Sequence, residues 1–489
     1  MGSPDRLSPL DASFLHIEDA TSHMHVAGAL IFGGEAPPYE DFLAHIEERL
    51  DHVPRYRQRL AWVPFGQGRP KWVDDEHFDL RYHVRSTALP SPATEYELQV
   101  LAGRVFSLRL NRDKPLWEMW LVEGLSDDRF AVLSKTHHAL VDGISGVDIL
   151  TVLFGESLQS SRSWTPCPCP SDGELLVEAL GERLSTPAEA VRAARWFVQS
   201  PRRAVSRAAS LVENASEMIL AGARPAPQTP WNRGVTGADR RFTWVRADLG
   251  RVKAVKNALG GTVNDVMLAV VTRALRRFLE RRGEPVSGLE LKAFVPVSVR
   301  SEDQAGTLGN QVTGMIARLP VGCDDPVECL SRVSDQMRGL KDSGQAVGAR
   351  ALTELGTGFA QGNLLSLGAR AVAPRQRVAN LVVTNVPGPQ FELRMGDRVL
   401  LDLFPMVPLG GNLKLGVAIL SYNGKISFGL VADFDAMPDL EDLADDFSRA
   451  MRELEGAAAI EGDGSSPGGR AGAGAGGERP IRQDPALTS

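Results

Sequence analysis

The sequence predicts an α/β protein of two domains, each of which mixes helices with strands. Three observations support this fold class. The chain has 489 residues, more than one ordinary hydrophobic core organises. Segments with strand and helix patterns alternate over residues 7–155 and again over residues 241–455. Between these regions the composition changes, because a loop rich in serine, proline and cysteine precedes a long helical pattern.

The first predicted domain covers residues 1–155. The segment HVAGALIFG, which begins at His25, is typical of a strand, and YEDFLAHIEERLDHV has apolar residues at helical spacing. The run from Arg129 to Thr136 indicates another strand. The segment GISGVDILTVLFG, which follows it, indicates a helix.

Residues 156–240 form the predicted linker, which is basic and largely helical. After the loop SSRSWTPCPCPSDG, the segment TPAE from Thr186 is a capping box with proline at the first helical position. From Ala190 to Val212 there are five arginines and no acid, together with Trp196 and Phe197. This pattern leaves two interpretations open, a solvated helical face or a segment that lies on a membrane surface.

The second predicted domain covers residues 241–455. A helix begins at Thr262, and the segments KAFVPVSV and VTGMIARL indicate strands. The segment LKLGVAILSYNGKISFGLVADF predicts a hairpin, in which Asn423-Gly424 supplies the positive φ angles of a tight turn. The low-complexity tail, residues 456–489, is predicted to be disordered.

Composition restricts the location and the partners. A net charge of −7 favours solubility and argues against nucleic acid as the main partner. No apolar run reaches the roughly 18 residues that span a bilayer, and the N-terminus lacks signal-peptide character. We therefore expect a cytoplasmic protein, with a peripheral position on the inner membrane face or on lipid droplets left open. The four cysteines have no histidines near them, which predicts reduced thiols and no metal site.

The segment KTHHALVDG places His137 and His138 at the end of a predicted strand. Adjacent side chains on a strand point to opposite faces, so this pair is a poor chelate for one metal ion. Two interpretations remain. The histidines could be a hydrogen-bonded core pair, or one could face a cavity as a base while its neighbour anchors the strand. Asp142 could return its carboxylate towards this loop. Gly143 either gives the turn its conformational freedom or lets a substrate approach the backbone.

Beyond these residues there is a resemblance to a known family. HHALVDG resembles the HHxxxDG signature of the coenzyme-A-dependent acyltransferase superfamily, which includes chloramphenicol acetyltransferase and peptide-synthetase condensation domains. Over residues 7–455 the chain is similar in the order and spacing of further motifs to the bacterial wax ester synthase/diacylglycerol acyltransferase family. Those motifs are LSPLDASFLHIED, MHVAGALIF, PLW from Pro115, VNDVMLA from Val263, VPVSVR from Val295, GNQV from Gly309 and NVPGP from Asn385.

The resemblance implies two chloramphenicol-acetyltransferase-like α/β sandwich domains with the active centre in a tunnel between them. It implies acyl-coenzyme A as co-substrate, no further cofactor, and an acceptor that is diacylglycerol (triacylglycerol synthesis) or a long-chain alcohol (wax ester synthesis). His138 is the implied general base, with no covalent intermediate. The resemblance also makes Asp142 a structural partner of an arginine, for which Arg300 is the candidate.

The other matched motifs supply further candidates for substrate binding or structural support. Trp117 of PLW either packs in the core or lines the acyl path. Asn264 and Asp265 stand just inside a helix start, where they are capping residues or members of the site. Asn310 and Asn385 serve turns or shape the tunnel. Asn264 and the backbone near Gly143 are candidate oxyanion donors.

Two other functions remain open from the sequence. The first is condensation of an acyl group that is delivered by a carrier protein, which uses the same fold. The motifs beyond HHxxxDG favour coenzyme A and a lipid acceptor instead. The second is a non-catalytic lipid-binding or lipid-droplet protein, and the intact set of His137, His138, Asp142 and Gly143 argues against it.

Overall fold

Two six-stranded sheets organise the structure, and a small two-stranded hairpin stands apart from them. The computed structural model describes residues 6–140, 146–155, 164–181, 225–234, 236–298, 312–342 and 378–464.

The first third of the chain alternates short helices and strands. Its helices are α1 (Pro9–Ile17), α2 (Tyr39–Glu47), α3 (Leu80–His83), α4 (Glu95–Ser107), α5 (Gly146–Phe154) and α6 (172–181). Its strands are β1 (His25–Gly33), β2 (Gln58–Ala61), β3 (Lys71–Asp74), β4 (Val84–Ala88), β5 (Trp117–Leu125) and β6 (Arg129–His137).

The second half has longer helices. They are α7 (Leu249–Leu259), α8 (Val263–Arg281), α9 (Pro326–Asp342) and α10 (Leu440–Gly464). Its strands are β7 (Arg240–Asp248), β8 (Leu291–Ser298), β9 (Val312–Leu319), β10 (Leu381–Pro387), β11 (Arg394–Met395), β12 (Arg398–Met406), β13 (Leu415–Tyr422) and β14 (Lys425–Asp433).

These elements confirm the predicted α/β class. The predicted strands at His25 and Arg129 are β1 and β6, and the helix at Thr262 is α8, with Thr262 as its N-cap. The predicted hairpin is β13–β14, and Asn423 and Gly424 have φ angles of 41° and 78°. The tail is predicted to be disordered from residue 456, but this is wrong for residues 456–464, because α10 continues to Gly464. Alanines 457–459 favour helix, and Ala458 packs against the core. The capping box at Thr186, the arginine run and the rest of the tail lie outside the described residues.

The first sheet contains strands from both predicted domains. The first has the order β11-β12-β1-β6-β5-β4, and the second has the order β7-β14-β13-β10-β8-β9. β12 pairs antiparallel with β1, so a strand from the predicted second domain extends the sheet of the first. The predicted boundaries at residues 155 and 241 stay predictions, but residues 394–406 belong to the first sheet by pairing.

A tightly packed apolar layer lies where the two sheets meet. The Phe404 ring on β12 stacks on the Trp244 indole of β7, with ring centroids 4.5 Å apart. At Gly429 on β14, a Cβ atom would lie 1.7 Å from the carbonyl oxygen of Pro405. Only glycine lets the backbones approach this closely. The close approach and the buried aromatic pair hold β12 of the first sheet against β7 and β14 of the second.

Candidate active site

The histidine pair lies at the point where β6 ends. His137 is the last residue of the strand and stands opposite His25 of β1, and His138 begins a single 3₁₀ turn. The backbone N–H of His137 donates to the carbonyl oxygen of Leu116 (2.9 Å), and that of His138 donates to the carbonyl oxygen of Met24 (2.8 Å). The backbone therefore fixes the positions from which both imidazoles project.

Both ring nitrogens of His137 are engaged. Nδ1 accepts from the backbone N–H of Ala139 (3.1 Å), and Nε2 lies 2.8 Å from Oε2 of Glu18. Because Nδ1 is an acceptor, the ring proton resides on Nε2 and is donated to the carboxylate. Burial is the largest influence on the pKa of His137 and lowers it, and the Glu18 carboxylate opposes this shift. His137 is thus a neutral, fully bonded anchor rather than a free base.

Glu18 is held ionised by two arginines. Nε of Arg109 donates to its Oε1 (2.8 Å), and Nη2 of Arg112 donates to its Oε2 (2.8 Å). Burial raises the pKa of Glu18, but hydrogen bonds and charges from His137 and Arg112 outweigh burial and hold that pKa well below its usual range. A buried carboxylate without such partners would be unstable as an ion.

His138 is in a different state from its neighbour. Its half-buried ring stacks on the Phe14 ring, with centroids 4.1 Å apart and an interplanar angle of 25°. Burial lowers the pKa of His138 to about 4, although its own backbone carbonyl opposes the shift. Nδ1 is buried and makes no well-aligned hydrogen bond. At neutral pH this imidazole is therefore uncharged and able to accept a proton.

Helix α1 supports both histidines. Pro9 takes the first helical position, and the N-cap Ser8 accepts from the backbone N–H of Asp11 (3.1 Å). The helix ends so that Glu18 is its C-cap, four residues after Phe14. Residues i and i+4 share one helical face, so Phe14 covers His138 while Glu18 binds His137.

The second half of the chain supplies an amide pair and a capping aspartate. Thr262 and Asp265 form a capping box at the start of α8, and Asp265 also accepts from the Ser334 hydroxyl at 3.3 Å. Asn264 lies in the same first turn and accepts at Oδ1 from the amide of Asn385 on β10 (3.0 Å). These contacts favour structural support by Asp265 and leave the amide nitrogen of Asn264 to donate elsewhere.

Trp117 lies in a hydrophobic core beside the first sheet. Its side chain is 1% exposed, and its indole N–H donates to the carbonyl oxygen of Tyr56 (2.8 Å). The indole stacks between the Tyr56 and His83 rings, with centroids at 4.4 Å and 4.7 Å. These contacts favour the structural interpretation of this residue over a place on the acyl path.

Four candidates cannot be located. Asp142, Gly143, Arg300 and Asn310 lie outside the described residues, so the pairing of Asp142 with Arg300 stays a prediction. Within the described part of the chain, no group of three or more His, Cys, Asp or Glu side chains could hold a metal ion.

The structure adds four residues that sequence reasoning did not single out, Phe14, Glu18, Arg109 and Arg112. The first two lie in LSPLDASFLHIED, a family motif whose pattern does not by itself assign either residue a role in the site. The spacing of Phe14 and Glu18 indicated a shared helical face. Nothing in the sequence connected that face with a histidine pair about 120 residues later.

Comparisons with known proteins agree on one family. A model of the wax ester synthase/diacylglycerol acyltransferase catalytic domain matches residues 7–267, and a model of the C-terminal domain of that family matches residues 308–455. A probable diacylglycerol O-acyltransferase of Mycobacterium tuberculosis is 35% identical over 459 residues, 92% of this chain and 96% of that protein.

Solved structures give the same picture of the fold. The wax ester synthase/diacylglycerol acyltransferase of Marinobacter aquaeolei VT8 superposes with a TM-score of 0.65 at 28% identity, covering 93% of this chain and all of that one. A condensation domain of the calcium-dependent antibiotic synthetase gives a TM-score of 0.56 at 15% identity, over 93% of this chain and 96% of that one, a likeness of fold alone. Together they confirm the predicted two-domain acyltransferase fold.

Proposed function

The chain belongs to the wax ester synthase/diacylglycerol acyltransferase family, and we propose that it transfers a fatty acyl group from acyl-coenzyme A with His138 as the general base. As in its relatives, the acceptor is diacylglycerol, which gives triacylglycerol, or a long-chain alcohol, which gives a wax ester. The reaction needs no cofactor, because acyl-coenzyme A is itself the co-substrate.

The division of roles between the two imidazoles is the observation that carries this mechanism. His137 has both nitrogens engaged, whereas His138 is half-buried, has a pKa of about 4 and stays uncharged at neutral pH. Because Nδ1 of His138 is buried, Nε2 is the nitrogen that would face a substrate. A base in this state can accept the acceptor's proton without first having to lose one of its own.

The reaction balances as a single displacement through a tetrahedral intermediate. The acceptor hydroxyl gives its proton to Nε2 of His138 while its oxygen attacks the thioester carbonyl. The intermediate then collapses, the C–S bond breaks, and the imidazolium returns the proton to the departing coenzyme A thiolate. A positioned base contributes about 10²- to 10⁴-fold to such a step, because a free hydroxyl is too weak an acid to ionise beforehand.

A covalent acyl-enzyme is not required, because a thioester is already an activated acyl donor. The buried cysteines support this view. Burial is the largest influence on the pKa of Cys329 and raises it to about 12, so its thiol is not a ready nucleophile. The remaining acceleration would come from alignment of the two substrates and from donors to the developing oxyanion. The amide nitrogen of Asn264 and the backbone near Gly143 are our candidate donors.

A thiol-release assay tests the proposal directly. The purified chain would be incubated with palmitoyl-coenzyme A and either dioleoylglycerol or hexadecanol. We expect acceptor-dependent release of free coenzyme A, loss of release in His138→Ala, and normal release in the matched control His52→Ala, since His52 is exposed. Near-normal turnover by a folded His138→Ala protein would exclude the mechanism. Absence of thiol release with every acceptor would instead support a lipid-binding protein.

The same assay separates the donors. Palmitoyl-coenzyme A and a palmitoylated acyl-carrier protein would be offered at equal concentration. We expect the coenzyme A thioester to be used, because the family motifs extend over most of the chain. Exclusive use of the carrier protein would support the condensation reaction.

We also propose a peripheral association with a lipid surface, because diacylglycerol and long-chain alcohols are insoluble in water. Among the described helices none alone has the length and apolar character to cross a bilayer, although α7 and α8, bent by 96°, pass that criterion when joined. The arginine run from 190 to 212 lies outside the described residues and stays a separate prediction. It predicts binding to anionic vesicles that weakens with salt.

A further inference from the structure

We propose that the turn of the β2–β3 hairpin, residues 62–68, is a docking surface that enters the interfacial layer of a phospholipid bilayer. We call these residues the aromatic turn. The inference rests on the proposed function, since it names where the chain meets the surface that holds its water-insoluble substrates.

Two aromatic side chains of this turn face solvent. Phe65 is 85% exposed and Trp62 is 42% exposed, whereas Val63 between them is buried. Single exposed apolar residues are ordinary on a protein surface. Two large aromatic rings on one turn instead form an apolar patch that would be stabilised by contact with an apolar partner.

The backbone makes the exposure of Phe65 more unusual. Its φ angle is +58° and its ψ angle is 15°, which is the left-handed region. Bulky residues rarely adopt this conformation, whereas glycine and asparagine adopt it readily. Neither core packing nor the geometry of the turn therefore favours phenylalanine here. Contact with an apolar partner outside the protein would explain why the Phe65 ring is exposed here.

Helix α6 extends the apolar surface next to the turn. On its inner side, Ala179 packs on the hairpin, 3.1 Å from the position of a Cβ atom at Gly68, and Leu175 joins the same small core. On its outward side, Val177 and Leu180 are exposed. Two packed elements thus present apolar side chains to solvent, and Phe65 is the most exposed of the four.

The chemistry of the turn favours lipid over a protein partner. Its sequence, WVPFGQG, carries no charge, and the nearest flanking charges in sequence are Arg59 and Arg69. An uncharged aromatic tip between cationic flanks suits the boundary between lipid headgroups and acyl chains, where tryptophan is favoured. Arg59 lies 3.9 Å from the carboxylate of Asp75, and Glu178 of α6 pairs with Lys71, so these charges have partners within the fold. The attraction should therefore be apolar rather than electrostatic.

Vesicle co-sedimentation of the full chain tests the inference. The probe is phosphatidylcholine vesicles without anionic lipid, at low and high sodium chloride. We expect salt-insensitive binding, with a partition coefficient roughly tenfold lower in Trp62→Ser and in Phe65→Asn, because each removes one aromatic ring from the apolar phase. The control is Phe391→Ser, which removes a 54% exposed ring elsewhere and should leave binding unchanged.

Phe65→Asn keeps the test interpretable, because asparagine tolerates the left-handed backbone and the melting temperature should not fall. Wild-type binding by both turn variants would overturn the inference. So would binding that salt abolishes, which would point to the arginine run. Self-association that depends on the turn, with no binding of vesicles by the wild type, would show that the surface is occupied by a second copy of the chain.

A soluble substrate separates this inference from the proposed function. With a short water-soluble alcohol as acceptor, we expect the turn variants to release thiol at the wild-type rate, and to lose rate only with acceptors presented in vesicles. If the wild type turns over acceptors but the turn variants bind vesicles as well as the wild type does, the docking surface alone would be rejected. A wild type that binds vesicles and turns over no acceptor would reject the proposed function alone.

Discussion

The carboxylate of Glu18 accepts a hydrogen bond from Nε2 of His137 at 2.8 Å, across 119 residues of sequence. The pair is buried and its charge is balanced by Arg109 and Arg112. It fixes the tautomer and the orientation of His137, and through the backbone it fixes where His138 begins. Glu18 is thus a positioning residue, one step removed from the proposed base.

We expect Glu18→Gln to lower kcat roughly 10- to 100-fold with little change in KM, since it disturbs alignment rather than binding. Glutamine can still accept from His137, but it lacks the charge that balances Arg109 and Arg112. The measurement is steady-state thiol release with a thermal melt of each protein. The matched control is Glu47→Gln, which changes an exposed carboxylate on α2. An unchanged kcat would remove the positioning role.

Phe14→Ala should move the acid limb of the pH profile of kcat/KM to higher pH. We expect the wild type to lose activity when His138, the proposed base, becomes protonated, and burial holds its pKa at about 4. Without the stacked Phe14 ring, water reaches the imidazole and its pKa rises towards the ordinary value of about 6.5. Phe14→Leu, which keeps an apolar cover, should shift the limb less. Identical profiles for all three proteins would contradict this account.

The free energy of unfolding should fall as the pH is lowered from 6.5 to 4, in part because of His138. Its folded pKa of about 4 lies below the ordinary value, so in this window the unfolded chain binds the additional proton. The free energy of unfolding then rises with pH by up to ~1.4 kcal/mol per unit, or about 3 kcal/mol in total, from this group. Urea unfolding of His138→Ala should show a weaker dependence of the free energy of unfolding on pH across this window, corresponding to the uptake of nearly one proton fewer on unfolding.

His45 gives an independent check on this linkage, because burial also lowers its pKa to about 4. His45→Ala should reduce the slope by a similar amount while leaving the acid limb of kcat/KM in place. A slope that neither substitution changes would mean that other groups control acid unfolding.

Trp117→Phe should lower stability but not turnover per folded molecule. The substitution removes the indole N–H and leaves the buried carbonyl oxygen of Tyr56 without its donor, at a cost of about 1–3 kcal/mol. Chemical unfolding and thiol release at a temperature well below the transition measure the two effects. Trp62→Phe, at an exposed tryptophan, is the control for the substitution itself, assayed with a water-soluble alcohol as acceptor so that vesicle binding by the aromatic turn does not enter. A change in acyl chain preference would instead place Trp117 on the acyl path.

Local patterns in the sequence predicted most elements, because their causes are local. The apolar run in HVAGALIFG gives β1, the capping residue Thr262 begins α8, and Asn423-Gly424 turns the β13–β14 hairpin. The site was predicted only in part. The position of His138 followed from its motif, whereas the bonds of Glu18 and the stacking of Phe14 depend on where α1 packs. A contact over so many residues leaves no periodic trace in a single sequence.

The pairing of β12 with β1 has a consequence for the folding of this chain during its synthesis. Until residue 406 has been synthesised, β1 lacks its neighbour and offers an apolar edge, from Ala29 to Phe32, to any passing strand. A fragment that stops before β11 should consequently be prone to aggregation. In a nascent chain, the first sheet is therefore completed only after β12 has been synthesised. The two halves of the chain should consequently fold together rather than one after the other.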